Sequence, residues 1–141
     1  MGKQMKNKLL FSVLLVPLIC FSANELVTAD RLYRTGQLTA LEEHINNLDD
    51  SYKDHPSVLF FRLLFTTDAE KAVRGYSHFL NSFSSSRYYD DVILKMISLE
   101  RLRGNFNKAE KTAKAFIQSY PHSEHLDKIE YELCLIHIIR D

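Results

Sequence analysis

The chain has 141 residues, and 18 basic side chains balance 18 acidic ones, so its formal net charge is zero. A balanced charge gives no basic surface for nucleic acid, and the two cysteines, Cys20 and Cys134, are too few for a disulfide framework. The length is enough for one domain with its own core.

The first 22 residues have the layout of a secretory signal peptide. Three lysines and no acid precede an apolar run of 12 residues, Leu9 to Cys20, and Ser22 supplies a small residue for cleavage. The run is shorter than the roughly 20 residues that a membrane-spanning helix needs. We expect residues 1–22 to be removed and residues 23–141 to form an exported domain, periplasmic or associated with the outer envelope. An uncleaved N-terminal membrane anchor and lipidation of Cys20 are the alternatives.

Beyond residue 23, apolar residues follow helical spacing between a few glycines and prolines, and no segment has the pattern of a strand. Helices are expected at 24–35, after Gly36 as far as Tyr52, at 56–66, after Thr67, at 88–103, after Gly104 and at about 124–140. Thr67 and Glu70 have the spacing of a capping box, Pro56 suits a first helical position, and Ser86 suits an N-cap. The fold class predicted is all-α.

The helices repeat along the chain. When Lys71-Ala72 is aligned with Lys108-Ala109, an offset of 37, Phe79 meets Phe116 and Ser86 meets Ser123. When Gly36 is aligned with Gly104, an offset of 68, Leu38 meets Phe106 and Leu48 meets Phe116. A period of 34–37 residues is typical of arrays of helix pairs.

The segment from Gly104 to Ser123, with Phe106, Ala109, Phe116 and Tyr120-Pro121, resembles a tetratricopeptide repeat (TPR). It is similar to the bacterial envelope subgroup that includes the outer-membrane assembly lipoprotein BamD and the Tol-Pal-associated protein CpoB. The resemblance implies a right-handed α-solenoid of about three helix pairs plus a final unpaired helix, with Ala109 allowing close helix approach. It also implies a concave face that holds a protein partner. The residues expected to point into that groove are Asp30, Tyr33, Leu94, Ser98 and Arg101.

The last predicted helix is unusual because 8 of the 11 residues from Ile129 to Ile139 are apolar. A terminal solenoid helix is expected to keep a polar outer face. We therefore predict that residues 129–139, including Tyr131, Leu135 and Ile138, form an association surface. A partner subunit, a second copy of this chain or further repeats could cover it. Cys134 is predicted to be a small buried hydrophobe.

No constellation of residues indicates catalysis, a cofactor or a small-molecule substrate. His122 and His125 lack the further ligands of a metal site, and Ser84–Ser86 lack the flanking glycines of a hydrolase nucleophile. Asp90 and Asp91 suit the first turn of a helix. The sequence thus predicts a non-enzymatic scaffold of the cell envelope that binds proteins, possessing neither metal nor cofactor. The alternative is a structural subunit that self-associates through its last helix.

Overall fold

The computed structural model describes residues 24–140, which divide into two compact units, 24–53 and 54–140. The predicted signal peptide lies outside the described residues. The helices of the first unit are α1 (24–34), α2 (Leu38–Asn46) and a 3₁₀ turn (Asp50–Tyr52). Those of the second unit are α3 (Pro56–Leu64), α4 (Ala69–Ser82), α5 (Tyr89–Leu102), α6 (Phe106–Ser119) and α7 (Leu126–Arg140). Within residues 24–140 there is no strand, which confirms the all-α prediction.

In the first unit, α2 is shorter than predicted. It ends at Asn46 instead of continuing to Tyr52, and Leu38, which the repeat aligns with Phe106, is half exposed. Asp49 then starts the 3₁₀ turn by accepting a hydrogen bond from the Ser51 N–H at 2.8 Å. Asparagine and aspartate side chains compete for backbone hydrogen bonds in this way, and they favour turns over helix interiors.

In the second unit, the 37-residue offset appears in the helices themselves. Helices α4 and α6 each have 14 residues, and α6 begins and ends 37 residues after α4. The turns that follow them match as well: Ser86 accepts from the Tyr88 N–H at 3.3 Å, and Ser123 accepts from the His125 N–H at 3.2 Å. The segments that contain α4 and α6 therefore form the same local structure, including the side-chain hydrogen bond in the turn that follows each helix.

Two predicted helix caps are wrong by one and two residues. The N-cap of α4 is Asp68 rather than Thr67, and its carboxylate accepts from the Lys71 N–H at 3.0 Å. Helix α5 begins at Tyr89, so Ser86 closes the preceding turn and does not cap the helix. Aspartate is the better cap here because it combines the hydrogen bond with a charge that favours the helix N-terminus. Pro56 is the first residue of α3, as predicted.

Consecutive helices of the second unit pack against one another, and α5 also contacts α7. One buried cluster joins α5, α6 and α7, and its members are Ile93, Ile97, Ala109, Ala113, Phe116, Ile129 and Ile136. Ala109 and Ala113 are fully buried, so their small side chains let the neighbouring helices approach α6 closely. This burial is what the prediction for Ala109 required.

Helix α7 is covered on one side only within its unit. Ile129 and Ile136 are fully buried, whereas Tyr131 is 63% exposed and Ile138 is 72% exposed. Cys134 is also exposed, so its predicted burial is wrong. The reason is that α7 packs on α5 and α6, and no further helix of the described unit covers its other side.

Candidate functional site: the face formed by α5 and α7

Helices α5 and α7 lie side by side and run in the same direction. Near their N-terminal ends, Asp91 Oδ1 lies 3.3 Å from His125 Nε2, and two turns later Ser98 meets Glu132. Both pairs are separated by 34 residues, so contacts advance along both helices together. The two helices therefore present one continuous face.

A buried carboxylate joins the two helices near the middle of this face. Ser98 Oγ donates a hydrogen bond to Glu132 Oε1 at 2.7 Å, and Arg101 Nε donates to Oε2 at 2.6 Å. The side chains of Arg101 and Glu132 are only 16% and 11% exposed. Charge-assisted hydrogen bonds are stronger in such a partly dry environment. Glu132 thus fixes the position of α7 relative to α5.

An open depression of about 380 Å³ lies next to this junction. Its lining comprises Leu94, Lys95 and Ser98 of α5 with Asp127, Lys128, Tyr131 and Glu132 of α7. Leu94 and the exposed ring of Tyr131 give it an apolar part, and the exposed Lys95 and Lys128 are charged. An exposed tyrosine beside an aliphatic side chain is a typical anchor point for a protein partner.

The N-terminal end of the face is closed by polar contacts. Ser123 Oγ donates to Asp90 Oδ2 at 2.6 Å, and the imidazole of His125, whose side chain is only 9% exposed, lies against Asp91. Asp90 and Asp91 occupy the first turn of α5, as predicted. Among residues 24–140, no group of three or more potential ligands could hold a metal ion.

The structure brings together four of the predicted binding residues: Leu94, Ser98, Arg101 and Tyr131. Leu135 and Ile138 lie one and two turns further along α7 than Tyr131, half-buried and exposed respectively. Asp30 and Tyr33 belong to α1 in the first unit, where Asp30 accepts from Arg34 Nε at 3.1 Å.

Sequence reasoning missed four residues of the face, namely Lys95, Asp127, Lys128 and Glu132. Glu132 was not predicted because it lies within the apolar run from Ile129 to Ile139, which was interpreted as an association surface. Its distance from Ser98, 34 residues, is the signal that could have found it, because one repeat period places equivalent turns of neighbouring helices side by side.

Comparisons of the chain with protein-family models, with curated proteins and with solved structures found no match. Within the described part of the chain, every helix is too short or too polar to cross a lipid bilayer.

Proposed function

We propose that this protein is a non-enzymatic scaffold of the bacterial cell envelope that binds another protein on the face formed by α5 and α7. The observation that carries the proposal is the open depression in which Leu94 and Tyr131 are accessible beside a fixed polar junction. Protein interfaces combine an apolar centre with a polar rim, and this face has both.

The junction at Glu132 explains why this face suits binding. Ser98 and Arg101 hold the two helices through Glu132, so the walls of the depression are ordered before a partner arrives. A preordered surface loses less conformational entropy on binding, which leaves more of the contact energy as affinity. In this proposal Ser98 and Arg101 position the surface, while Leu94 and Tyr131 contact the partner.

The proposed architecture is a right-handed TPR-like solenoid. Its support is the 37-residue offset of α4 and α6 together with the parallel α5 and α7, which would both be first helices of successive pairs. The envelope location is supported by the signal-like residues 1–22. We expect the mature exported chain to begin at Ala23, and envelope assembly or maintenance to be the process it serves.

The binding proposal is tested by site-specific photo-cross-linking in cells that naturally produce this protein. Benzoyl-phenylalanine replaces Leu94 in one variant and Ala115, an exposed residue of α6, in the control variant. We expect one discrete adduct from position 94 and none from position 115.

With the identified partner purified, Leu94→Glu is expected to lower the affinity at least about tenfold, which is the effect of a central interface residue, whereas Ala115→Glu leaves it unchanged. Equal adducts at both positions, or an affinity insensitive to Leu94→Glu, would contradict the proposal.

The alternative function, a structural subunit that self-associates, is favoured by a different observation. Tyr131, Ile138 and Ile139 of α7 are large apolar residues that are 63%, 72% and 53% exposed. Apolar residues gathered on one helix mark an association surface more often than scattered ones do. The mass of the purified chain in solution separates the two functions, since the alternative requires an oligomer.

A further inference from the structure

A small cavity lies between α3 and α4, and none of its residues belongs to the α5–α7 face. Its volume is about 140 Å³, and it is lined by Leu59, Arg62, Leu63 and Thr66 from α3 and the turn after it, with Gly75, His78 and Phe79 of α4. The Thr66 hydroxyl donates to the Arg62 carbonyl at 3.2 Å, so its proton is used within its own segment. The walls are therefore mainly hydrocarbon, and the charged side chain among them is the exposed Arg62.

A glycine shapes the wall of this cavity on the α4 side. A Cβ atom built on Gly75 would lie 2.1 Å from Leu63 Cδ2, far inside van der Waals contact. The neighbouring Tyr76 donates its hydroxyl to the Leu63 carbonyl at 3.3 Å, which holds α3 against α4 at this point. The 37-residue offset aligns Gly75 with Thr112 of α6, which carries a branched side chain. The glycine is thus particular to the α3–α4 pair and is not required by the repeat.

We propose that this cavity binds a small carboxylic acid whose body is a single aromatic ring. The ring lies between α3 and α4, and the carboxylate pairs with the guanidinium of Arg62. This inference goes beyond the protein-binding function. Because the two sites share no residue, either can fail without the other.

The size of the cavity selects the body of the ligand. An apolar cavity of about 150 Å³ is known to hold one benzene molecule, so a volume of 140 Å³ suits one ring. A polar body would leave its hydrogen-bonding groups unpaired against Leu59 and Leu63. Phe79 favours an aromatic body, because its ring is held by Phe60 and Phe83, with centroids at 6.4 Å and 5.3 Å, and can pack against a further ring.

The charge at the cavity selects the polar group of the ligand. Arg62 forms no ion pair within residues 24–140, whereas Arg101 and Arg103 each pair with a glutamate. The lining contains no aspartate or glutamate that would compete for the guanidinium or repel an anion. A guanidinium binds a carboxylate through two parallel charge-assisted hydrogen bonds, which makes a carboxylate its natural partner.

Saturation-transfer NMR with the whole chain, purified from cells that naturally produce it, tests the class of ligand. The probes are phenylacetate, phenylacetamide, which keeps the ring without the charge, and acetate, which keeps the charge without the ring. Because the cavity is smaller than the sites of drug-sized ligands, we expect phenylacetate to bind with a Kd of about 1 mM. Phenylacetamide should bind about three- to tenfold more weakly, since it loses the charged hydrogen bonds. Acetate should give no signal.

Gly75→Ala tests the position of the ring. The added methyl group and the Leu63 side chain that it displaces take up space in a cavity that holds only one ring, so phenylacetate should bind at least about tenfold more weakly. Alanine favours a helix interior over glycine, so the variant should fold, which circular dichroism checks. Asn81→Ala, at an exposed residue of α4 outside the lining, is the control and should bind like the parent.

Arg62→Gln tests the position of the carboxylate. With the guanidinium removed, phenylacetate and phenylacetamide should bind equally, while the ring keeps its place. Arg74→Gln makes the same substitution at an exposed arginine of α4 outside the lining, and it should keep the preference for phenylacetate. Since Arg62 is exposed, this variant tests recognition without disturbing the core.

Three results would overturn the proposal. One is the absence of saturation transfer to phenylacetate at about 10 mM, ten times the expected Kd. Another is binding that Gly75→Ala leaves unchanged, because the ring would then lie elsewhere on the chain. The third is equal binding of phenylacetate and phenylacetamide by the parent, which would remove the role of Arg62. None of these results bears on cross-linking at Leu94.

Discussion

Two buried glutamates of the second unit, Glu100 on α5 and Glu132 on α7, have contrasting surroundings. Glu100 is 1% exposed, and its carboxylate accepts from Asn105 Nδ2 at 2.6 Å, from Arg103 Nη1 at 3.3 Å and from Lys108 Nζ. These partners lie within eight residues of it along the chain. The partners of Glu132 are 31 and 34 residues away on another helix.

The contrast in hydrogen-bond partners shows that Glu100 stabilises a turn of the fold, whereas Glu132 holds together the two helices that form the α5–α7 face. Glu100 closes the turn between α5 and α6, where Gly104 adopts a positive φ of 77° and the Asn105 N–H donates to the Glu100 carbonyl at 2.9 Å. Burial raises the pKa of Glu100, but the hydrogen bonds from Lys108 and Asn105 and the nearby charges outweigh it and hold the pKa below its usual value. Glu132, by contrast, borders an open depression.

The largest effect is expected from Glu100→Ala. The substitution leaves Lys108, Asn105 and Arg103 without their common acceptor at the turn, and we expect a loss of about 2–3 kcal/mol in the free energy of unfolding. Urea unfolding followed by circular dichroism measures it. The control is Glu70→Ala, which removes the other carboxylate bound to Arg103; because Glu70 is 63% exposed, the expected cost is about 0–1 kcal/mol. Equal costs for the two variants would mean that the turn does not depend on the burial of Glu100.

A smaller and more local effect is expected from Glu132→Gln. The amide keeps an acceptor for Ser98 but loses the charge that pairs with Arg101, so we expect about 1–2 kcal/mol. Hydrogen exchange should show faster exchange in α7 while α4 and α6 keep their protection, because Glu132 holds one helix and not a turn of the core. Glu130→Gln, at an exposed position of the same helix, is the control and should change little. Uniformly faster exchange in all helices would remove the distinction between Glu100 and Glu132.

The sequence predicted the all-α class and the 37-residue offset because helical spacing and repetition are local patterns. It did not predict the end of α2 at Asn46, where the apolar spacing continues to Tyr52 but aspartate and asparagine side chains break the helix. Periodicity reports which residues can share a face; it does not report whether the backbone keeps its helical hydrogen bonds.

The candidate site was predictable only in part for a related reason. The resemblance to a tetratricopeptide repeat predicted that Leu94, Ser98 and Arg101 share one side of α5, but which side chain would meet them depended on the packing of α7. The same limit affected Cys134: an apolar run predicts burial, whereas exposure depends on how many helices surround the run. Ile136, only two residues further on, is fully buried.

The smallest effect concerns a third carboxylate, Glu110 on α6, which contacts His137 and Arg140 of α7. Hydrogen bonds from Lys114 and His137, together with the charges of Lys114 and Arg140, lower the pKa of Glu110 from 4.5 to about 2. Because the folded-state pKa is depressed, the stability that Glu110 contributes is complete above pH 4.5 and is lost as the pH falls towards 2. We expect Glu110→Gln to make the acid-induced loss of stability between pH 4.5 and 2 shallower than in the parent chain.

Acid titration of the unfolding midpoint, followed in parallel for Glu110→Gln and Glu130→Gln, measures this contribution. Glu110 accepts from Arg140 Nη1 at 2.6 Å, whereas Glu130 is exposed on α7, so only the first substitution should change the slope. Since these contacts lie at the surface, salt should screen them and bring the slopes together, while the effect of Glu100→Ala at the buried turn should persist. If the slope of Glu110→Gln equalled that of the parent at low salt, the polar contacts of Glu110 with α7 would contribute nothing to stability. Glu132 would then be the only acid anchoring α7 among the three carboxylates.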